Sequence, residues 1–543
     1  MASFLMRRTR MSPVDTAWLR MDSPGNLMMI VGVDVFEGAV DADRLRRVLE
    51  TKLLAYDRFR CRAIVDATGA WWEECDHFDI NQHLIRIGLP GQGSKEDLQN
   101  LVAQLASQSL DHARPLWQMH LVENYHGGAA LIVRIHHCIA DGIALNGVLL
   151  SLASTDANAS DEPAARRAKE GSRGPLDALL RPFTAATVKA LGAGGEFAAR
   201  AISASRAMLV DPKIASDAAA DAVRMAARVT KDAAALALMA SDTATSLKGK
   251  PCGSKSVAWC EPLPLANVKA VGRAIGCSVN DVLLACAAGA MREYLASRGD
   301  RLDGAELRAM VPVNLRGSNT ANSLGNKFGL VPLLLPIGIE HPLERVLEVQ
   351  RRMNDLKGGT MPILAMAVLG LVGAAPRFVQ QQALDMLASK ATAVMTNVPG
   401  PQQALYMAGA KIKQMMFWVP QSGDISVGVS ILSYDGGVQF GVVTDRSVCA
   451  EPQKIIDRFA PEFEKLVYAL LLAPWDETVD SSVATKALAA TEAVADVASH
   501  LGDRAQASGN GAGRDAASAT APKPPGMRTR KSAFATARAN AGR

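Results

Sequence analysis

The chain contains no Cys-x-x-Cys pair, although eight of its 543 residues are cysteines. The cysteines lie mostly in or beside apolar segments, which is typical of reduced thiols in the cytosol rather than of a disulfide framework. Aromatic residues make up only 5% of the chain. They do not alternate with basic residues in the C-terminal segment, where Phe534 stands alone. The composition therefore argues against a specific nucleic-acid site.

No uncharged apolar run in the sequence is long enough to cross a bilayer. The most apolar one, residues 361–376, has prolines near both ends and is shorter than the ~20 residues that a membrane-spanning helix needs. The charged N-terminus is not followed by the apolar core of a signal peptide before Asp15. We therefore expect a cytoplasmic protein without a transmembrane helix. Residues 361–376 then form a buried helix or, alternatively, line a tunnel or lie in a lipid interface.

The net charge of +5 is unevenly distributed along the chain. Beyond Ala521 there are six basic and no acidic residues, at the end of a stretch rich in alanine, serine and glycine. This composition predicts a disordered basic tail over residues 476–543. A merely solvated tail is the simplest interpretation. The alternatives are peripheral contact with anionic lipids of the inner membrane or of lipid droplets, and nonspecific contact with nucleic acid.

The most informative segment is residues 135–142, which read Ile-His-His-Cys-Ile-Ala-Asp-Gly. The chain has 9 His, 54 acidic residues and 44 Gly, so a His-x-x-x-acid match alone is expected by chance about once. The preceding His and the following Gly reduce this expectation to roughly 0.001 matches. The full string is therefore a strong signal of function.

This segment lies at a turn between a predicted strand and a predicted helix. Residues 116–123 and 129–136 are mostly apolar and flank Gly127 and Gly128, a pattern that indicates a β-hairpin. The apolar spacing after Gly142 fits a helix packed on the core. The motif thus leaves the second strand of the hairpin and opens the helix.

Successive strand residues face opposite sides of a sheet, so His136 and His137 do not point into one site. A zinc site through both histidines and Cys138 therefore fails geometrically, and no metal is predicted. We assign the functional role to His137, as a general base that takes a proton from a hydroxyl. Asp141 is expected to shape the site. The alternative is that both histidines are satisfied residues of a buried hairpin.

Further motifs extend the signal over most of the chain. Besides residues 135–142, they are Met11-Ser12-Pro13-Val14-Asp15 with Trp18, Pro115-Leu116-Trp117, Asn280-Asp281-Val282-Leu283-Leu284-Ala285, Val311-Pro312-Val313-Asn314-Leu315-Arg316, Gly325-Asn326 and Thr396-Asn397-Val398-Pro399-Gly400-Pro401. With these motifs the chain resembles the bacterial wax ester synthase/diacylglycerol acyltransferases, a family of CoA-dependent acyltransferases with an HHxxxDG motif, and the order of the motifs agrees with that family.

The resemblance implies a role for the residues of the HHxxxDG motif, which here are His136, His137, Asp141 and Gly142. We take these four as the candidate catalytic set. His137 corresponds to the catalytic base, and Asp141 to an acid with an architectural role through a salt bridge.

Residues outside the motif are implicated in the same way. Arg58 and Arg60 are the candidate salt-bridge partners of Asp141, by resemblance to related condensation domains. Asn280 matches a position that helps to polarise the thioester carbonyl. Because Ser278 and Asn280 precede an apolar run, a helix N-cap is an equally good and compatible interpretation of Asn280.

The order of predicted elements indicates an α+β protein with two similar halves. We predict an N-terminal domain at residues 1–155, a linker and alanine-rich helical connector at 156–255, and a C-terminal domain at 256–475. Residues 441–445 read GVVTD where the second half would carry the motif, so one site is expected at the junction. The resemblance implies two chloramphenicol-acetyltransferase-like domains, with mixed sheets and flanking helices, around a single interdomain channel.

The resemblance also implies the reaction. It is an acyl-CoA-dependent O-acyl transfer that makes triacylglycerol from diacylglycerol or wax esters from long-chain alcohols, with acyl-CoA as co-substrate and no other cofactor. The sequence has no G-x-S-x-G elbow and no plausible Cys-His pair, which favours direct attack of the acceptor without an acyl-enzyme. Two alternatives stay open: a related condensation-type acyltransferase with carrier-protein donors, and a non-catalytic lipid-binding protein.

Overall fold

A computed structural model describes residues 8–66, 69–91, 93–160, 239–314, 326, 328–357 and 389–472. Most of the predicted helical connector, the apolar run at 361–376 and the whole of the predicted basic tail lie outside the described residues. So do Leu315, Arg316 and Gly325 of the motifs. The N-terminal half below means residues 8–160, and the C-terminal half means residues 239–472.

Apolar runs form the strands of the N-terminal half, and capped segments form its helices. The strands are β1 Arg8–Arg10, β2 Met29–Glu37, β3 Cys61–Asp66, β4 Gly69–Glu74, β5 Leu84–Ile87, β6 Trp117–Tyr125 and β7 Gly128–His136. The helices are α1 Pro13–Met21, α2 Ala42–Val48, α3 Lys95–Ala106 and α4 Gly142–Leu152, with short helical turns at Leu49–Leu53, Asp57–Phe59 and Ile80–Gln82. The four α-helices begin after side chains that accept their first free N–H groups, namely Ser12, Asp41, Ser94 and Asp141.

The C-terminal half repeats this mixture of strands and helices. Its strands are β8 Lys255–Trp259, β9 Leu263–Pro264, β10 Leu307–Asn314, β11 Phe328–Leu335, β12 Ala393–Pro399, β13 Tyr406–Met407, β14 Ala410–Trp418, β15 Val427–Tyr434 and β16 Gly437–Asp445. Its helices are α5 Leu265–Ile275, α6 Val279–Ser297, α7 Pro342–Lys357, α8 Gln453–Ile456 and α9 Phe459–Leu472. α6 is largely buried and packs against α5, α7 and α9.

The strands β2 and β7 lie at the centre of a six-stranded sheet with the order β13-β14-β2-β7-β6-β5. Both strands are buried over nearly their whole length, because their sequences are apolar at almost every position. β6 and β7 pair antiparallel, with Leu121 opposite Leu131. The hairpin predicted around Gly127 and Gly128 is therefore confirmed. A smaller sheet has the order β1-β4-β3.

The second large sheet has seven strands, with the order β11-β10-β12-β15-β16-β8 and with β9 paired to β16. β12 runs parallel to both β10 and β15, whereas β10 and β11 are antiparallel. The sheet is therefore mixed. This topology places the ends of β10 and β12 at the same edge as the start of β11, and the functional residues of this half meet at that edge.

The C-terminal half contributes two strands to the N-terminal sheet, which the sequence did not predict. β13 and β14 come from the C-terminal half, but β14 pairs antiparallel with β2 and so joins the N-terminal sheet. Trp418 lies opposite Val31 in this pairing. The boundaries 1–155, 156–255, 256–475 and 476–543 stay a prediction, although the C-terminal half extends physically into the first sheet.

Among the described residues, no single helix is both long and apolar enough to span a membrane. α5 and α6 reach the required length and hydropathy only when they are taken together, and they are bent by 101° relative to each other. Most of the residues of α6 are buried against the rest of the protein, which is also typical of a core helix.

Candidate active site

The HHxxxDG segment forms the turn between β7 and α4. β7 ends at His136, which pairs with Met29 of β2, and α4 begins at Gly142. The Asp141 side chain accepts a hydrogen bond of 2.9 Å from the Ala144 N–H and so caps the helix. Asp141 therefore fixes the direction in which α4 leaves the sheet, and this contact supports the architectural role predicted for it.

The His137 ring packs in a cluster with aromatic residues from both halves of the chain. It stacks on Trp18 of α1, with ring centroids 4.1 Å apart and an interplanar angle of 20°. The ring centroid of Phe328, at the start of β11, lies 5.5 Å from that of His137. The backbone N–H of His137 donates to the Met28 carbonyl over 2.7 Å. These contacts leave the ring little freedom to rotate.

Burial decides the protonation state of His137, which is only 3% exposed. Desolvation of the ring lowers its pKa to about 4, although the charge of Asp141, a hydrogen bond with Asn326 and the charge of Asp15 oppose this shift. The ring is therefore neutral near pH 7. Its Nδ1 has no hydrogen-bond partner among the described residues. A neutral imidazole with an unpartnered nitrogen can accept a proton.

His136 lies in a different environment. Its Nδ1 accepts a hydrogen bond of 3.2 Å from the Cys138 N–H, and its Nε2 lies 4.0 Å from Asp22. His112 lies edge-on to it, with ring centroids 6.2 Å apart, and pairs with the same Asp22 at 3.4 Å. Desolvation lowers the pKa of His136 to about 4. These contacts fit the structural role that we assign to His136.

Cys138 lies inside the motif and is fully buried. Burial raises the pKa of its thiol well above the usual range. A thiol that resists ionisation is a poor nucleophile, so the motif offers a base at His137 without an activated cysteine beside it. Among the described residues, no group of three or more His, Cys, Asp or Glu side chains is arranged to hold a metal ion.

Asp15 accepts hydrogen bonds from residues on both sides of the catalytic turn. The sequence predicted no role for it beyond its place in a motif. Its Oδ2 accepts from Arg58 Nη2 at 3.0 Å, and its Oδ1 accepts from Asn326 Nδ2 at 2.8 Å. The Asn326 amide also donates to the His137 carbonyl over 2.9 Å, and Arg58 Nη1 donates to the Ile139 carbonyl over 2.6 Å. A single buried carboxylate thereby holds both sides of the catalytic turn.

These contacts correct the predicted partner of Asp141. Arg58 forms its ion pair with Asp15 instead, because the turn Asp57–Phe59 places the guanidinium beside α1. Arg60 pairs at 2.7 Å with Asp57, which is largely exposed. Arg58 still supports the motif, but through the backbone carbonyl of Ile139 rather than through the Asp141 carboxylate.

Asn280 lies near the start of α6 but is not its N-cap. Ser278 caps the helix, and Asp281 completes a capping box with it, so the N-cap interpretation of Asn280 was wrong. The Asn280 Oδ1 accepts a hydrogen bond of 2.6 Å from Asn397 Nδ2. This contact joins two of the sequence motifs and orients the Asn280 amide so that its own N–H groups remain available to donate.

The edge of the second sheet brings the polar groups of the C-terminal half together. Asn397 lies near the end of β12, which runs parallel to β10 with Val394 beside Met310. β11 starts at this same edge, where Asn326 precedes Phe328. Asn280 and Asn397 therefore share an edge with the residues that contact His137.

Gly142 faces β14, the strand that the C-terminal half contributes to the first sheet. A Cβ atom at Gly142 would lie 3.7 Å from Phe417 and 3.9 Å from Val419, which are ordinary van der Waals distances. The absence of a side chain therefore leaves open space between the catalytic turn and β14. This space adjoins an apolar cavity under α4.

Comparison with known proteins identifies the architecture. Residues 11–283 match the wax ester synthase/diacylglycerol acyltransferase catalytic domain, and residues 324–467 match the C-terminal domain of the same family. A probable diacylglycerol O-acyltransferase of Mycobacterium tuberculosis is 27% identical over 453 residues, which cover 81% of this chain and 92% of that protein. A putative diacylglycerol O-acyltransferase of Mycobacterium bovis is 28% identical over 431 residues, which cover 76% and 80%.

Solved structures show the same fold. The wax ester synthase/diacylglycerol acyltransferase of Marinobacter aquaeolei is similar with a TM-score of 0.59 at 21% identity, over 86% of this chain and all of that one. The first condensation domain of the calcium-dependent antibiotic synthetase gives a TM-score of 0.53 at 15% identity, over 86% and 96%. The predicted α+β fold class is thereby confirmed. The chain belongs to the wax ester synthase/diacylglycerol acyltransferase family and is an acyltransferase.

Proposed function

We propose that this protein transfers the acyl group of acyl-CoA to the hydroxyl of diacylglycerol or of a long-chain alcohol, with His137 as the general base. Family membership supports the reaction class and its two lipid substrates. One observation carries the mechanism. The neutral His137 ring packs against both Trp18 and Phe328, with one nitrogen unpartnered among the described residues.

The proposed reaction proceeds by direct attack. His137 takes the proton of the acceptor hydroxyl while the oxygen attacks the thioester carbonyl. The tetrahedral intermediate then collapses, the carbon–sulfur bond breaks, and the protonated imidazole returns the proton to the CoA sulfur. The high pKa of the buried Cys138 supports this route over one through a cysteine acyl-enzyme.

Asn280 is the proposed donor to the oxyanion. Because Asn397 occupies its amide oxygen, its amide N–H groups are free to stabilise the negative charge that develops on the carbonyl oxygen. Removal of a well-placed donor of this kind costs about 3–4 kcal/mol of transition-state stabilisation. Asn326, by contrast, donates to Asp15 and to the His137 carbonyl, so we assign it to positioning.

The first test measures free CoA thiol released from palmitoyl-CoA in the presence of either diolein or hexadecanol. We expect release that requires an acceptor and falls by at least about 10²-fold in His137→Ala, since general base catalysis contributes roughly 10²–10⁴-fold. The preferred acceptor distinguishes triacylglycerol synthesis from wax ester synthesis.

A matched control is available in His120→Ala. His120 is also buried, and desolvation also lowers its pKa to about 4, but it lies in β6, away from the motif. This variant is expected to release CoA at close to the wild-type rate if it remains folded. If His137→Ala released CoA at close to the wild-type rate, His137 would not be the general base and the proposed mechanism would be wrong.

The two alternative functions make different predictions in the same assay. A condensation-type enzyme would turn over acyl-carrier protein but not acyl-CoA, and the similarity to condensation domains is one of fold alone. A lipid-binding protein would bind the lipids without consuming thioester. The family match favours acyl-CoA chemistry over both.

The location of the enzyme is part of the same proposal. Its lipid substrates reside in membranes or in droplets, and a basic tail is attracted to anionic lipid surfaces. We therefore propose that the chain works in the cytoplasm and attaches peripherally to the inner membrane or to lipid droplets. Sedimentation with anionic vesicles, compared with a chain ending at residue 475, tests this attachment.

A further inference from the structure

Asp34 is a charged residue in the most apolar part of the first sheet. It lies in β2, whose sequence is MIVGVDVFE, and β2 is a central strand between β14 and β7. Its neighbours across the two pairings are Met415 and Leu131. Asp34 is only 5% exposed. An aspartate at such a position requires a physical explanation, because unpaired buried carboxyls destabilise a fold.

No residue that the structure describes supplies a partner for the Asp34 carboxyl. Burial is the sole cause of its altered ionisation and raises its pKa to about 7, without a compensating hydrogen bond or nearby cation. The group is therefore largely protonated below neutral pH and about half protonated at pH 7, and in its protonated form it can donate as well as accept a hydrogen bond. Its hydrogen-bonding capacity is unused in the protein alone.

The carboxyl faces a cavity of about 30 Å³ between the sheet and α4. The cavity is lined by one face of β2, by one side of α4 and by residues of β7, β14 and β15. Among the lining residues only Asp34 and Asn146 have polar side chains, and the others are glycines or apolar residues such as Ile30, Leu145 and Met415.

Asn146 supplies the second polar group, from α4. It is half-buried, and its side-chain amide also has no hydrogen-bond partner among the described residues. The cavity therefore presents an acid and an amide within apolar walls, and neither side chain has a hydrogen-bond partner among the described residues. A hydroxyl group matches this pair, since it donates one hydrogen bond and accepts another.

Two glycines give this cavity its shape and place it beside the reaction. At Gly32 a Cβ atom would meet the Val133 and Phe417 side chains at 3.7 Å, so the missing side chain keeps the floor open. Gly142 forms another wall and is the last residue of the catalytic motif. A group bound in this cavity therefore lies next to the turn that carries His137.

We propose that the cavity binds a hydroxyl group carried on the aliphatic part of a substrate, with Asp34 and Asn146 as the residues that recognise it. This inference rests on the proposed acyl transfer and specifies which substrates are preferred. The hydroxyl belongs either to the acyl chain of the donor or to an acceptor with a second hydroxyl. The chemistry recognised is the same in both cases, and the two arms of the experiment separate them.

The experiment compares matched substrates by their kcat/KM values. In the donor arm, palmitoyl-CoA is compared with its β-hydroxy and ω-hydroxy derivatives, with hexadecanol as acceptor. In the acceptor arm, hexadecanol is compared with the vicinal and the α,ω-diols of hexadecane, with palmitoyl-CoA as donor. We expect the wild-type protein to prefer a hydroxylated substrate by about tenfold or more in one arm, because polar groups left unpaired penalise the plain analogue.

The variants Asp34→Leu and Asn146→Leu each remove one of the two polar groups and are expected to bring the preference ratio towards one. Asp34→Asn is the matched control, since it keeps the shape and the hydrogen-bonding capacity and should retain most of the preference. A wild-type ratio near one with every hydroxylated substrate overturns the inference. The same follows if the ratio is unchanged in both leucine variants.

A binding measurement separates this inference from the proposed function. The melting temperature is recorded with hexadecanol, with each diol and with each hydroxypalmitate, in the absence of CoA. In one outcome no thioester is consumed, but a hydroxylated ligand raises the melting temperature of the wild type and not that of Asp34→Leu. This outcome supports the hydroxyl-binding cavity and contradicts the proposed acyl transfer. In the other outcome the substrates without an added hydroxyl turn over, and the added hydroxyl changes neither kcat/KM nor the melting temperature. This outcome contradicts the hydroxyl-binding cavity and leaves the proposed acyl transfer intact.

Discussion

Burial sets the chemistry of single residues in this protein more strongly than charge pairing does. The His137 imidazole and the Asp34 carboxyl are both more than nine-tenths buried. Desolvation lowers the pKa of the first to about 4 and raises that of the second to about 7. Desolvation thereby keeps His137 neutral near pH 7 as a ready base, and it gives Asp34 a substantial protonated fraction that can donate a hydrogen bond.

This environment of His137 leads to a prediction for the pH dependence of turnover. A base with a pKa near 4 stays neutral as the pH falls through the ordinary histidine pKa of about 6.5. The acid limb of kcat/KM is therefore expected well below pH 6.5, with a plateau from about pH 5.5 upward. Trp18→Ala admits water to the ring and should move this limb upward. A wild-type limb centred near pH 6.5 would contradict the desolvated state of His137.

At the scale of elements, the turn between β7 and α4 is held from both of its sides. Asp141 caps α4, while Asp15 of α1 holds Arg58 and Asn326 on the backbone of the turn. Arg58 is partly exposed, but Asp15 is 1% exposed. Loss of the Asp15 carboxylate therefore leaves two donors unpaired next to the catalytic base.

We expect Asp15→Ala to lower the free energy of unfolding by about 3 kcal/mol, as is typical when one partner of a buried ion pair is removed. The turn should also shift, so that kcat falls more than KM changes. Asp57→Ala is the matched control, since Asp57 forms an exposed pair with Arg60. Its loss should cost less than about 1 kcal/mol. Urea unfolding and steady-state kinetics of both variants check this, and equal losses would argue against the central role of Asp15.

At the scale of the whole molecule, the N-terminal half completes neither its sheet nor the site by itself. β14 comes from the C-terminal half and covers the edge of β2 in the first sheet. Phe328 and Asn326 of the C-terminal half contact His137 of the N-terminal half. The site is therefore assembled only when both halves are folded together.

A chain that ends at residue 155 is accordingly expected to fail as an independent domain. Without β14, β2 becomes an exposed and strongly apolar edge strand, which is a template for aggregation. We expect this fragment to be insoluble, or soluble without a cooperative thermal transition by circular dichroism. A fragment with a sharp melting transition would show that the first sheet does not need the strand from the other half.

Local patterns in the sequence were sufficient for the elements around the motif. The hairpin at Gly127 and Gly128 and the helix after Gly142 follow from turn residues and apolar spacing, which act over a few positions. Strand alternation predicted separate surroundings for His136 and His137, and their surroundings do differ, but β7 ends at His136 and His137 lies in the turn that follows. The motifs along the chain were sufficient for the family and thus for the fold class.

Contacts between distant parts of the chain lay beyond such patterns. Arg58 pairs with Asp15 rather than Asp141, Asn326 reaches the His137 carbonyl, and β14 joins the first sheet. Each outcome depends on which buried polar groups and strand edges meet in three dimensions, and many pairings satisfy the same local spacing. The unpaired carboxyl of Asp34 is the clearest case, because only the packing of α4 over β2 shows that a cavity lies in front of it.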